Sequence, residues 1–266
     1  MKKVVLIFAS VVFTFTFLSC KGDKPSPTTK TSSVEALNPE STIAMADPSE
    51  IHNEKSVEYR YVTAPSGLSL REYNNLQSEK LGKMPYGTKV KVLHAEGKNT
   101  MDVMGIKGAM DEVEFNHKTG FAFNGYLSKY FPPEQDMTAK GYAGELQKQF
   151  PSVTFTETVE GTASNPITIE TLVLPEVPWH EAFGTAQRLM NIPSEFVFPN
   201  PKGKDSEIQF DGKPKKGIWI SQLEISRKDN ELQKIDYVYT SQKFNSKVSI
   251  EKEGDVMKIT RTEEVK

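Results

Sequence analysis

The chain of 266 residues has one cysteine, Cys20, two tryptophans and four histidines. A lone thiol closes no disulfide within the chain, so packed apolar cores have to hold the fold. An excess of one charge is also lacking, with 33 basic residues facing 35 acidic ones. That balance provides no clustered basic face, and nucleic acid is excluded as an expected partner. Catalytic signatures are scarce. There is no Gly-x-Ser-x-Gly elbow and no phosphate-cradling glycine loop. His180-Glu181 would open a His-Glu-x-x-His zinc motif, but position 184 is Gly, and His52, His94 and His117 show no ligand spacing. No metal and no cofactor is expected, and His180 at a helix start reads as a capping or packing residue. A glycosidase needs two converging carboxylates. Asp229, Glu231, Glu253, Asp255 and Glu263 sit at turns or ends, where solvation accounts for them.

The beginning of the chain is informative. Lys2 and Lys3 precede an apolar run from Val4 to Leu18, then Ser19-Cys20. This order reads as a secretory signal over residues 1–19, too short for a comfortable membrane span of about 20 apolar residues. Phe17-Leu18-Ser19-Cys20 resembles a lipobox, with Phe at the position where Leu is usual. The resemblance implies acylation of Cys20, by diacylglycerol and palmitate, and a membrane-anchored lipoprotein of a bacterial envelope, at a periplasmic membrane face or the cell surface. An acylated Cys20 would leave no free thiol and hence no cysteine nucleophile. Removal of Lys2 and Lys3 with the signal leaves 31 basic residues against 35 acidic. From residue 20 to residue 57 the composition turns to Ser, Thr, Pro, Asn, Glu and Lys without a single aromatic. Such a segment buries too little apolar surface to offset its chain entropy. A flexible tether of this length reaches roughly 30–37 Å.

From residue 58 to residue 131 short alternating patterns and turn residues follow one another, as in a small all-β barrel. Leu68 and Leu70 alternate with Ser69 and Arg71; Val90 and Val92 alternate with Lys89 and Lys91; Val113 and Phe115 alternate with Glu112 and Glu114. Pro85-Tyr86-Gly87 and Asn116 to Gly120 supply turns. Val62-Thr63-Ala64 with Leu68-Ser69-Leu70-Arg71 is similar to the opening of the bacterial SH3 (SH3b) family. Leu81 to Leu93 resembles the family's central glycine- and valine-spaced stretch. Lys118-Thr119-Gly120-Phe121-Ala122-Phe123 with Gly125-Tyr126-Leu127 resembles its ending. The loop after Arg71 reads Glu72-Tyr73-Asn74-Asn75 where the family has Ser-Gly-Pro-Ser, and Met110 stands where a Trp is common. The resemblance implies an SH3-like barrel that works as a binding or targeting module.

Residues 132–266 predict an α+β domain with a mostly antiparallel sheet. Tyr142, Leu146 and Phe150 have helical spacing that Pro151 stops, and Ala182, Phe183, Ala186, Leu189 and Met190 repeat it. Val153 and Phe155, then Ile167 to Val173, alternate as strands. Pro193, Pro199 and Pro201 mark a loop. From Gly217 onward the pattern is a meander with turns at Lys228-Asp229-Asn230 and Glu253-Gly254-Asp255.

Tyr61, Arg71, Tyr73, Tyr86 and Tyr126, with Tyr130 beside them, are the candidate lining of a ligand groove, because tyrosine pairs a flat apolar face with a polar tip. Residues 59–131 carry 10 basic and 7 acidic side chains, a mildly positive surface suited to anionic wall material. The first expectation is therefore a tethered module for peptidoglycan or a wall-associated peptide. The alternative is a protein-interaction or inhibitor lipoprotein whose C-terminal domain meets a protein partner. A hydrolase in the C-terminal domain, targeted by the barrel, ranks third.

Overall fold

The computed structural model describes residues 57–212 and 215–266. The expected signal, Cys20 and the tether through residue 56 lie outside them. The chain is mostly β, built of antiparallel sheets with few helices. The described residues form one compact unit, and within it two seven-stranded sheets each cover their own core.

The first sheet comes from β1 (Glu58–Val62), β2 (Leu68–Arg71), β3 (Lys80–Met84) and β4 (Lys89–His94). After them a separate hairpin of β5 (Met101–Val103) and β6 (Ile106–Gly108) interrupts the sheet. The sheet resumes with β7 (Met110–Phe115), β8 (Lys118–Phe123) and β9 (Leu127–Ser128). Its order is β3-β2-β8-β7-β4-β1-β9. The alternation read from the sequence is what the strands bury: Leu68, Leu70, Val90, Val92 and Val113 all face one core. The loop before β2 requires glycine. Gly67 has φ +83°, and a Cβ there would lie 2.8 Å from the Met84 carbonyl oxygen. The turn expected over Asn116 to Gly120 is shorter. Only Asn116 and His117 turn, at φ 48° and 60°, and Phe115 pairs with Lys118. The hairpin of β5 and β6 was not expected from the sequence; it turns at Met104-Gly105, φ 53° and 84°.

The second sheet is made of β10 (Thr154–Gly161), β11 (Pro166–Pro175), β12 (Ser206–Phe210), β13 (Ile218–Lys228), β14 (Glu231–Ser241), β15 (Phe244–Glu253) and β16 (Val256–Val265). Its order is β10-β11-β16-β15-β14-β13-β12. One register row explains its core. Phe155, Leu172, Ile259, Ile250, Ile235 and Ile225 stand opposite one another across six strands. The adjacent row, Thr156, Thr171, Thr260, Ser249, Asp236 and Glu224, lies on the other face and is polar. Period-two alternation thus gives the sheet one apolar and one polar face. The apolar face is covered by α1 (Ala139–Gln147) and α2 (Trp179–Leu189), through Tyr142, Ala143 and Leu146 of the first and Ala182, Phe183, Ala186 and Leu189 of the second. Thr138 caps α1 by accepting the Gly141 amide at 3.1 Å. Phe150, placed on that helix by its spacing, falls beyond its end and packs edge-on to Tyr130 at 4.7 Å. The proline-marked loop also holds more than expected, because β12 follows it as an edge strand.

A candidate functional site at two clefts

A single 3-10 turn, Asn124–Tyr126 between β8 and β9, separates two clefts. The first is largely apolar, about 220 Å³, and enters the first sheet's core between the loop before β2 and the β5–β6 hairpin. Leu68, Leu76, Met110, Phe123 and Tyr126 line it, with Arg71 at its rim. Arg71 is held there: its Nη1 donates to the Ser78 carbonyl at 2.6 Å. Met110, at the position where the resembled family has a Trp, is part of this wall.

Of the five candidate groove residues, Arg71 and Tyr126 line this cleft together. Tyr73 lies in the loop after β2, 59% exposed and outside the cleft lining. Tyr61 and Tyr86 go elsewhere. Tyr61 packs edge-on to Phe131 at 6.2 Å, and Phe131 packs on Tyr142 of α1 at 5.4 Å. Tyr86 donates its hydroxyl to the Pro133 carbonyl at 3.1 Å, and the Arg188 guanidinium of α2 lies over its ring at 4.2 Å. Burial raises the Tyr86 hydroxyl to about 12. Both tyrosines therefore join the first sheet to the second half. Tyr130 does the same, buried, with its hydroxyl on the Pro175 carbonyl at 3.1 Å.

The second cleft, about 320 Å³, lies where the start of α2 meets β9 and the 3-10 turn. His180 and Glu181 enter it from the first turn of α2. The His180 Nε2 lies 2.5 Å from the Gly125 carbonyl, and its ring meets Tyr126 at 5.7 Å and Phe198 at 5.9 Å, both edge-on. Burial lowers the His180 imidazole to about 4, against the opposing effect of the Gly125 bond. A neutral ring donating from Nε2 is the state these contacts favour. Among the described residues no cluster of His, Cys, Asp and Glu has the convergence a metal needs. Glu181 accepts from the Ser128 hydroxyl at 2.5 Å. Its carboxyl is raised to about 7, first by desolvation; the Ser128 bond and the charges of Lys129 and Arg60 act the other way. Tyr86, Tyr130 and Tyr142 also lie within its electrostatic reach.

Ser128 was not a candidate from the sequence, and Glu181 entered only through the incomplete His-Glu-x-x-His pattern. A signal existed: Glu181 stands four residues before buried Thr185 and adjoins buried Ala182, so helical geometry sets it at the border of the inward stripe. Ser128 gives no comparable local signal.

No family model, curated protein or solved structure matches this chain.

Proposed function

We propose that the chain is a lipid-anchored envelope protein in which an SH3-like barrel over residues 58–131, followed by an α+β domain, binds peptidoglycan or a wall-associated peptide. The observation that carries this reading is the first cleft. Arg71, from the Leu68-Ser69-Leu70-Arg71 motif, and Tyr126, from the Gly125-Tyr126-Leu127 motif, are about 55 residues apart in the chain and meet at one apolar opening. A cation beside an apolar cleft suits an otherwise apolar wall segment that ends in, or carries, a carboxylate. The start of the chain, with Lys2-Lys3, the apolar run and Ser19-Cys20, supports acylation of Cys20 and placement at a membrane face, with the barrel free to reach the wall.

The test is retention on purified peptidoglycan of the chain from residue 20 onward carrying Cys20→Ala. Retention should fall at least fivefold with Arg71→Ala and persist with Tyr73→Ala, which lies outside the cleft. Retention no greater than that of an unrelated soluble protein would overturn the proposal. In cells, wild-type protein should sediment with membranes, and Cys20→Ala should release it to the soluble fraction; continued sedimentation argues against the anchor.

One observation supports the second reading, a protein partner for the C-terminal half. On and beside the edge strand β12, Ile208, Phe210, Trp219 and Ile220 are 49, 70, 64 and 38% exposed. An apolar edge of this kind is an invitation to strand or side-chain docking. Capture of one envelope protein, lost with Phe210→Ser and without wall retention, would favour it.

A further inference from the structure

The second cleft lies outside that reading, and its charges are sorted by wall. The wall supplied by residues 60–129 carries Arg60, Lys107 and Lys129 and no acidic side chain. The wall supplied by residues 176–181 carries Glu176 and Glu181 and no cationic one. If the walls were a simple ionic joint, these groups would pair across the gap. One pair does: Lys129 with Glu176, at the exposed side. The other groups of the lining do not, and Lys107 among them is exposed. Arg60 is turned to Glu58 of its own strand, its Nε donating at 2.6 Å. Among the described residues Lys107 makes no ion pair, and Glu181 has the Ser128 hydroxyl as its partner and no cation within ion-pair distance. Lys107 and Glu181 thus line one cleft of about 320 Å³ without pairing with each other or with another charge among the described residues.

Between the walls the lining continues to be polar. Asn99, Asn124 and Ser128 reach the cleft, and Leu127, Val177 and Pro178 supply a small apolar surface. Such a mixture orients a small ligand through a few polar groups at fixed positions. A simple anion would meet Lys107 but also the Glu181 carboxylate; a simple cation would meet Glu181 but also three cations. A molecule with both charges avoids both conflicts. It would restore a counter-ion to Glu181, whose carboxylate has lost water to burial, and to Lys107 on the facing wall.

We propose that this cleft binds a small zwitterion, an amino acid or short peptide with free ends. Its ammonium rests on Glu181 and its carboxylate on Lys107 and Arg60. Atoms of both halves of the described unit are needed, since Arg60 is on β1, Lys107 on the β5–β6 hairpin and Lys129 just after β9, while Glu176 precedes α2 and Glu181 is in its first turn. The site is separate from the apolar cleft at Arg71, so it stands or falls independently of wall retention.

The probe is alanylalanine, compared with acetate and with ethylamine, which each carry one of its two charges. The protein is the chain from residue 20 onward with Cys20→Ala, isotopically labelled for amide NMR. Alanylalanine should saturate shifts at the amides of residues 124–129 and 177–181, with acetate and ethylamine each at least about tenfold weaker. Glu181→Gln, which keeps an acceptor for Ser128, and Lys107→Met should each weaken the dipeptide at least about tenfold, the loss of one charge-assisted hydrogen bond. Lys107→Met removes a side chain that holds no ion pair, so its amide spectrum should otherwise match the wild type and separate lost binding from lost folding. Equal binding of acetate and the dipeptide would reassign the cleft to simple anions and overturn the proposal. So would absence of shifts at these amides in a spectrum that shows a folded chain.

Discussion

His180 and Glu181 are neighbours on α2 whose titrations oppose each other, and Glu181→Gln should expose that opposition as a change in how stability depends on pH. The Glu181 carboxyl rises from 4.5 to about 7 on folding, mainly by desolvation. The folded state therefore holds its proton more tightly than the unfolded chain. Its contribution is fully present below about pH 4.5 and is lost as pH rises through 7. His180 falls from 6.5 to about 4, again mainly by burial. Below pH 6.5 the unfolded chain takes up a proton that the folded one refuses, so this contribution is present above pH 6.5 and lost as pH falls toward 4. At about 1.4 kcal/mol for each pH unit, either change is worth at most about 3.5 kcal/mol, and about 1–3 kcal/mol once the remaining solvent contact of both side chains is allowed for. Between pH 4.5 and 6.5 the two slopes nearly cancel in the wild type.

Glu181→Gln removes the falling slope and keeps an acceptor for Ser128. Relative to wild type, the variant should gain about 1–3 kcal/mol of stability between pH 4.5 and pH 8. His180→Gln should do the reverse, losing its rising slope between pH 4 and 6.5. Urea unfolding at a series of pH values measures both, with the fluorescence of Trp179, one residue before His180, as a reporter next to the site. Because the comparison is a difference between variants, titrations elsewhere cancel. A Glu181→Gln difference that stays within about 0.5 kcal/mol from pH 4.5 to pH 8 would mean a carboxylate that keeps its water, and would refute the reasoning.

Arg188→Ala removes the guanidinium that covers the Tyr86 ring at 4.2 Å; thermal unfolding should show a loss of about 0.5–2 kcal/mol, and Arg188→Lys should restore less than half of it. Ile235→Ala empties the centre of the register row, where Ile235 is fully buried between Ile225 and Ile250; urea unfolding should show a loss of about 2–5 kcal/mol.

What could be read from the residues alone follows from the range over which each signal acts. The core of the second sheet was legible, because Ile218 to Ile259 alternate strand by strand and the turns at Asp229-Asn230 and Gly254-Asp255 carry residues that tolerate positive φ. β12 escaped the same reading for the opposite reason. Ser206-Glu207-Ile208-Gln209-Phe210 does alternate, but its two apolar side chains are on the open face, so the pattern marks no core. The hairpin of β5 and β6 is only three residues per strand, too short for alternation to stand out.

Tyr61 and Tyr86 show why a groove is harder to read than a core. A groove and an internal joint ask the same of a tyrosine: a flat apolar face for a neighbour and a hydroxyl for a polar partner. The choice between them is made by residues far along the chain, Phe131 and Pro133 for one end of the joint and Arg188 for the other. Arg71 at the end of β2 and Tyr126 in the turn after β8 line one opening, a proximity that no local pattern states. The second cleft lies wholly on the illegible side. Arg60, Lys107, Ser128 and Glu181 come from β1, β6, β9 and α2, and no window of sequence contains even two of them at a meaningful spacing. Each by itself is an ordinary charge or hydroxyl. Sorted onto facing walls, with Glu181 desolvated and Lys107 without an ion pair among the described residues, they constrain a ligand's charge more tightly than the tyrosine pattern does.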